Sequence, residues 1–248
     1  MDKWIKENKI VKDNMYNRID DFWWSTKNNP LQQMNPVRFS YFSEAIGELK
    51  GLKILDMGCG GGLLAEEFAK KDANITGIDI SENAIKVAIN HAFKNNLKID
   101  YRVGSAENIP MGNNTFDVVV CADCLEHVNN LEKVISETSR VLKHGGKFCY
   151  LTINRTILSK IMNWFFNYFM MKQFKTLKVS GENVDIHEWK KFIKPDELNF
   201  LMQKYNIKNI ETKGFILAGI LAGIKKGEFK FGIGKNTKLG YIGYAQKE

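Results

Sequence analysis

The chain has few cysteines and lacks the features of secreted proteins. Four cysteines in 248 residues, all near predicted strand ends, do not form the disulfide framework of a small secreted domain. Cys121 and Cys124 have redox or zinc spacing, but no second pair accompanies them, so we expect a packing role. The charged opening residues MDKWIKE contain no apolar signal segment. We therefore expect a reducing compartment, in the cytoplasm or at its membrane face.

Long apolar runs, internal repeats and arginine-rich tracts are also missing. No segment reaches the ~20 apolar residues of a membrane-spanning helix, and no low-complexity linker divides the chain. We therefore expect one domain over residues 1–248. The net charge of +8 would attract acidic metabolites, anionic lipid or nucleic acid. Because the lysines are spread along the chain, we expect no specific nucleic-acid binding.

A glycine-rich turn is the most informative feature that the chain does contain. The apolar run ILDMGCGGG, residues 54–62, ends in glycines and precedes a helix-forming stretch. Glycine permits positive φ and lets a ligand approach backbone N–H groups at a helix N-terminus. A second apolar run ends at Asp79, 21 positions after Gly58. This is close to the ~20-residue offset at which an acid binds ribose hydroxyls in Rossmann-like units.

One position separates this turn from the dinucleotide fingerprint. The third glycine of G-x-G-x-x-G would stand where the chain has Leu63. The spacing therefore favours a nucleoside ligand without a pyrophosphate. Strand-like and helix-like segments alternate through residue 153, which predicts right-handed βαβ crossovers and a parallel sheet. A ligand would then bind at the carboxyl ends of the strands.

The pattern Asp56, Gly58, Gly60, Gly62 and Asp79 resembles the S-adenosylmethionine site of class I methyltransferases. Other stretches resemble one family in particular, the ubiquinone-biosynthesis O-methyltransferases that act on polyprenylated catechols. These stretches are NPVR at 35–38, LEHV at 125–128, NR at 154–155, and His187 with KFIKP at 191–195. The resemblance extends from about residue 17 to the C-terminus.

The resemblance implies a fold, an activity and a cofactor site. The fold is Rossmann-like α/β, with a seven-stranded, mostly parallel sheet, an N-terminal helical cap over residues 1–50 and a helical insertion over residues 155–191. The activity is transfer of a methyl group from S-adenosylmethionine to a phenolic or catechol hydroxyl of an apolar, polyprenylated acceptor. The implied cofactor-binding residues are Arg38, Asp56, Gly58, Gly60, Asp79, Ile80, Ala106, Glu107 and Ala122. Arg38 would bind the methionine carboxylate of the cofactor through its planar guanidinium, which can donate two parallel hydrogen bonds.

Methyl transfer also requires that the acceptor hydroxyl, with a pKa of ~10, lose its proton. The first route is Mg²⁺ or another divalent cation, bound by Asp123, Glu126 and His127, which would acidify the hydroxyl. The resembled family carries an acid-x-x-Glu-His motif at these positions. Its first residue is more often Glu than Asp. The alternative for these residues is a Glu-His pair that orders the loop. The second route is His187 as a general base, against the alternative of a surface histidine.

Two aromatic segments each have two interpretations. Phe22, Trp23 and Trp24 belong either to a lid over the site or to a helix at the sheet edge. Residues 157–171 would form a broad apolar helix face followed by lysines, which either closes over the active site or contacts an anionic membrane surface.

Other functions compete with O-methylation. A methyltransferase with a nitrogen, carbon or carboxylate acceptor comes next. From a different class, Leu63 disfavours an NAD-dependent oxidoreductase, and the Asp123, Glu126 and His127 cluster disfavours a non-catalytic nucleoside-binding module.

Overall fold

The computed structural model describes residues 23–24, 29–165, 187–218, 226 and 228–248. Within these residues eight strands form one sheet with the order β3-β2-β1-β4-β5-β8-β6-β7. The strands are β1 Lys53–Met57, β2 Asn74–Asp79, β3 Asp100–Val103, β4 Phe116–Ala122, β5 Leu142–Ile153, β6 Ile207–Ala218, β7 Lys230–Gly234 and β8 Gly240–Lys247. Neighbours from β3 to β5 pair in parallel, and β8 pairs antiparallel with both β5 and β6.

Five helices, named α1 to α5 here, flank this sheet in the described part of the chain. They are α1 Pro30–Ile46, α2 Leu63–Ala69, α3 Glu82–Lys94, α4 Leu131–Val141 and α5 Pro195–Lys204. Residues 157–165 are also helical, and single 3-10 turns occupy Leu125–His127 and Trp189–Lys191. Among the described helices, none combines the length and the apolar character needed to cross a membrane.

The expected Rossmann-like α/β class is confirmed, but the expected count of seven strands is wrong for the described part of the chain. The difference is β7, which pairs antiparallel with β6 from Gly214↔Gly234 to Ala218↔Lys230. β8 pairs with one edge of β6, so the backbone groups along the opposite, outer edge of β6 need another partner. A short strand satisfies these groups and protects the edge.

The central strands are buried on both faces, as their continuous apolar sequences predict. Val118 and Val120 pack with α1, α2 and α3 on one face, whereas Val119 and Cys121 pack with α4 and α5 on the other. This division follows the two-residue period of a strand. The four cysteines are free thiols, and the three that are buried pack within these two clusters.

Side-chain caps fix the positions at which helices begin next to the site. The Ser81 hydroxyl accepts a hydrogen bond from Ala84 N at 3.2 Å, so α3 begins with only two residues between it and the end of β2. Asn29 accepts from Leu31 N at the start of α1, where Pro30 also occupies the first turn. Each cap satisfies an N–H group that the helix leaves without a partner.

We predict that Gly62→Ala destabilises the protein because Gly62 holds the turn before α2 at φ +87°. An added Cβ would lie 2.3 Å from the Tyr101 hydroxyl. Left-handed strain and overpacking together should cost roughly 2–4 kcal/mol of unfolding free energy. Gly112→Ala is the control, since its Cβ would meet nothing closer than Thr115 Oγ1 at 3.6 Å. Chemical denaturation measures both, and equal midpoints for the two variants would contradict the prediction.

Candidate active site

The glycine turn is bound to the end of β2 by its own backbone. Gly58 N and Cys59 N both donate to Ile78 O, at 2.8 and 3.0 Å. Gly58 has φ +74°, and a Cβ there would lie 2.6 Å from the Cys124 side chain. Glycine is therefore required both for the conformation and for the close approach of the segment after β4.

Asp79 fixes the same turn from the carboxyl end of β2. Its Oδ2 accepts from Gly60 N at 2.9 Å and its Oδ1 from Ser81 N at 2.8 Å. Desolvation raises the pKa of the Asp79 carboxyl, and these two hydrogen bonds oppose the rise. A carboxylate has about four lone-pair positions, so both oxygens can still accept from ribose hydroxyls. The next residue, Ile80, is an exposed apolar side chain beside this acid.

Asp56 is a second acid at this edge, and it is buried at the end of β1. Burial raises the pKa of Asp56 to about 7, although the Arg38 charge opposes this and the Asp79 charge adds to it. Its Oδ2 has no hydrogen-bond partner among the described residues. Because buried polar atoms are rarely left unsatisfied, this oxygen fits a donor on a ligand.

Trp23 and Trp24 lie over the turn. A Cβ on Gly60 or Gly61 would come within 2.3 Å of the Trp23 ring, and Trp24 Nε1 donates to Gly61 O at 2.8 Å. The Trp24 ring also stacks on His91 with centroids 3.4 Å apart. The lid interpretation of this aromatic segment stays a prediction. Phe22 and the rest of residues 1–22 lie outside the described residues.

Arg38 connects α1 to the carboxyl end of β4. Its Nη1 donates to Asp123 Oδ2 at 2.7 Å and its Nε to Asn35 Oδ1 at 2.9 Å. Asn35 in turn donates to Leu63 O at 2.8 Å, at the start of α2. In this structure the Arg38 guanidinium therefore binds a carboxylate of the protein. That carboxylate belongs to Asp123, which was predicted to be a metal ligand.

Glu126 lies just past β4 and is almost completely buried, at 1% exposure. Thr152 Oγ1 donates to Glu126 Oε2 at 2.7 Å, whereas Oε1 has no hydrogen-bond partner among the described residues. Burial raises the pKa of Glu126 to about 8, and the neighbouring Asp123 charge adds to this rise. One carboxylate oxygen is thus fixed, and the other is available to a ligand.

Two histidines complete a cluster around Glu126. The potential ligand atoms of Glu126, His127 and His187 all lie within 4.8 Å of one another, and the imidazole centroids are 4.9 Å apart. Burial lowers the pKa of His127 to about 4, with Lys191 contributing. Burial also lowers the pKa of His187 to about 3, with His127 contributing. Both imidazoles are therefore neutral near pH 7.

The structure brings His187, predicted as a general base, together with two of the three predicted metal ligands. Asp123, the third, faces Arg38 instead. Thr152 was not predicted to be a site residue, because a threonine within an apolar run is also typical of a buried strand. Asn163 was missed as well, and its side chain donates to His187 O at 2.9 Å.

The remaining predicted cofactor residues lie in the loops beside the turn. Glu107 Oε1 accepts from Asn129 N and Asn130 N at 2.7 and 3.1 Å, so it organises the loop before α4. Ala106 is buried next to it, and Ala122 is the last residue of β4. Their contact with a cofactor stays a prediction.

Comparison with known proteins supports a methyltransferase. A model of the methyltransferase domain matches residues 55–150. A ubiquinone biosynthesis O-methyltransferase of Pelagibacter ubique is 36% identical over 215 residues, covering 82% of this chain and 85% of the relative. One from Hahella chejuensis is 34% identical over 228 residues, covering 91% of this chain and 89% of the relative.

Solved structures agree with the fold. A SAM-dependent methyltransferase from Aquifex aeolicus superposes with a TM-score of 0.61 at 15% identity, covering 89% of this chain and 95% of that one. The magnesium protoporphyrin IX methyltransferase of Synechocystis PCC 6803, solved with bound SAH, gives a TM-score of 0.62 at 16% identity, covering 94% of both chains. At these identities the likeness concerns the fold alone.

We predict that Asp79→Ala weakens S-adenosylmethionine binding by about ten- to a hundred-fold, because a charged hydrogen-bond acceptor is typically worth ~1.5–3 kcal/mol. Isothermal titration calorimetry measures the affinity, and circular dichroism verifies the fold. The control is Asp100→Ala at the start of β3, where the carboxylate pairs with Arg102 on the surface. An unchanged affinity in a folded Asp79→Ala variant would contradict the assignment.

Proposed function

Because this chain belongs to the ubiquinone biosynthesis O-methyltransferase family, we propose that its methyl acceptor is a phenolic or catechol hydroxyl on an apolar, polyprenylated molecule. The chain is an S-adenosylmethionine-dependent O-methyltransferase. The observation that carries the proposed acceptor is the cluster of buried Glu126 with half-buried His127 and His187. It lies past the carboxyl end of the central strand β4, at the edge where open α/β sheets bind their ligands.

S-adenosylmethionine supplies an electrophilic methyl group on a sulfonium when it is bound. Asp79 would accept hydrogen bonds from the ribose, and the buried Asp56 oxygen would accept from a donor group of the same molecule. The turn and its acids would thus hold one reactant in a fixed orientation. Alignment of two reactants can contribute ~7–11 kcal/mol to a displacement of this kind.

The acceptor hydroxyl must lose its proton, and the two routes differ greatly in cost. An imidazole with a pKa of about 3, such as His187, would take a proton from a hydroxyl of pKa ~10 at a cost on the order of 10 kcal/mol. A route through His187 as the sole base is therefore expensive. Lowering the pKa of the hydroxyl itself is the favoured alternative.

A divalent cation would lower that pKa as a Lewis acid, and the site fits one. Glu126 offers a buried carboxylate oxygen with no hydrogen-bond partner among the described residues, and His127 is neutral and adjacent. We propose that these two residues hold the cation. The first residue of the motif, Asp123, is paired with Arg38 and would join only if that pair opened.

We predict that the purified protein methylates catechols with a preference for apolar substituents. A series with lengthening prenyl chains should show rising kcat/KM, because each buried CH₂ is worth ~0.8 kcal/mol of transfer free energy. Mass spectrometry of the product measures the transfer. The matching dimethoxy compounds, which have no free hydroxyl, are the blank. Tight S-adenosylmethionine binding without transfer to any catechol would contradict the proposed acceptor.

An apolar surface beside the site suits a lipid-like substrate. In the helical segment 157–165, Ile157 is 77% and Trp164 65% exposed. Lys160 lies 4.7 Å from the Trp189 ring centroid, next to this surface. We propose that the protein is cytoplasmic and that this surface contacts anionic membranes peripherally. Residues 166–171 and the lysines after them lie outside the described residues.

We predict weak, salt-sensitive co-sedimentation with anionic vesicles that is lost in Trp164→Glu/Phe165→Glu. Two carboxylates would repel the anionic headgroups and remove the apolar contact. Phe200→Glu is the control, because Phe200 is also an exposed aromatic side chain, at 67%, but lies on α5 and not in the 157–165 segment. S-adenosylmethionine affinity should be unchanged in both variants. If the wild type does not sediment at low salt, the segment is a lid and the membrane proposal fails.

A further inference from the structure

We propose that the Tyr241 hydroxyl binds the second oxygen of a catechol acceptor, the oxygen next to the hydroxyl that is methylated. This inference rests on the proposed function, since it names the part of the acceptor that the site selects. Tyr241 is then a specificity-determining residue, which favours acceptors with two neighbouring oxygens over simple phenols.

Tyr241 has a buried hydroxyl without a hydrogen bond to any described residue. The side chain is at 0% exposure, and its oxygen has no hydrogen-bond partner in the part of the chain that the structure describes. Burying a hydroxyl without a partner is costly, and such groups are rare in folded proteins. This oxygen therefore fits a polar group on a bound molecule.

The strand pairing puts Tyr241 on the side of the sheet where Glu126 lies. Tyr241 is the second residue of β8 and pairs with Thr152, near the carboxyl end of β5. Paired residues of neighbouring strands point to the same face of a sheet, and Thr152 donates from this face to Glu126 Oε2 at 2.7 Å. Tyr241 also belongs to the core cluster on the α4 and α5 side. The hydroxyl thus lies at the edge of the sheet where we propose that methyl transfer occurs.

Another buried oxygen at this edge also has no partner. Asn154, at 7% exposure, directly follows β5. Its Nδ2 donates to Thr237 O at 2.9 Å, and its backbone N donates to Leu239 O at 3.0 Å, just before β8. Its Oδ1 has no hydrogen-bond partner among the residues described. Together with Glu126 Oε1 and the Tyr241 hydroxyl, three buried oxygens at one end of the sheet are unsatisfied, and a few polar atoms in an apolar setting are typical of a ligand pocket.

A catechol suits this arrangement better than a simple phenol. Burial raises the pKa of the Tyr241 hydroxyl, and Tyr150 and Glu126 raise it further by their charges, so the hydroxyl keeps its proton and can donate it in a hydrogen bond. A phenol uses its one oxygen in the transfer and leaves the Tyr241 hydroxyl unsatisfied. Sites that pair a buried group with a substrate oxygen reject analogues without that oxygen, because the buried group is then left unpaired.

The first test is the stability of Tyr241→Phe, with Tyr150→Phe as the matched control. Tyr150 is a buried tyrosine on the neighbouring strand, and the two ring centroids are 6.2 Å apart. Its hydroxyl donates to Asn209 Oδ1 at 2.7 Å and lies 2.8 Å from Thr212 Oγ1. Tyr150→Phe should lower the midpoint of chemical denaturation, whereas Tyr241→Phe should leave it unchanged or raise it. An equal fall in both variants would overturn the proposal, because the Tyr241 hydroxyl would then have a partner in the free protein.

The second test compares a catechol with a monophenol that carries the same apolar substituent. Calorimetry on the full chain, saturated with S-adenosylhomocysteine, measures the affinity for each. Tyr241→Phe should weaken catechol binding by about 10–100-fold and change monophenol binding by less than about threefold. Tyr150→Phe should leave the ratio of the two affinities unchanged. Both variants keep Glu126 and His127, so a cation bound there affects them equally. Equal losses for the two acceptors in Tyr241→Phe, or no loss for either, would overturn the proposal.

Methylation assays on the same catechol separate this proposal from the proposed function. If the wild type methylates the catechol and Tyr241→Phe leaves the ratio of affinities unchanged, the proposal for Tyr241 fails and the function stands. If Tyr241→Phe loses affinity for the catechol alone but the wild type transfers no methyl group to it, the function fails and the Tyr241 contact stands.

Discussion

The hydrogen bond between Gly60 N and the Asp79 carboxylate is the constraint on which the glycine-turn half of the candidate site depends. It joins the turn after β1 to the end of β2, and the bonds from Gly58 N and Cys59 N to Ile78 O reinforce it. Because β1 and β2 are parallel neighbours, both ends lie at one edge of the sheet. The fold thereby concentrates glycine backbone and acidic side chains in one place, before any ligand contributes.

Charge compensation organises the other half. Arg38 reaches from α1 to Asp123 after β4, and Glu126 is left as the acid of the neighbouring cluster, with no salt bridge among the described residues. Burying an acid without a partner is costly, and the raised pKa of Glu126, about 8, reflects that cost. The fold therefore keeps one carboxylate in an unfavourable buried position, beside two neutral imidazoles. Unsatisfied buried groups of this kind are typical of sites that await a ligand.

Local patterns predicted the central fold well. The glycine turn, the acid at Asp79 and the cap at Ser81 each depend on contacts within about 20 residues, so spacing alone could reveal them. The cluster could not be predicted in this way, because His187 stands 60 positions after His127 and meets it only through the return of the chain after β5. β7 was not counted in the expected sheet for a similar reason, since its glycine-rich sequence fits a loop as well as a strand and pairs only with the distant β6.

The exposed apolar segment and the cluster of Glu126, His127 and His187 are parts of one hydrogen-bonded unit. Asn163 in the 157–165 helix donates to His187 O, and Trp189 Nε1 donates to Thr156 O at 3.0 Å. Ser159, in the same helix, donates to Asn154 O at the end of β5. Any force that moves this helix must therefore strain bonds to the segment that carries His187. The surface that we propose to contact the membrane is thus joined, through these hydrogen bonds, to the cluster that we propose to activate the acceptor.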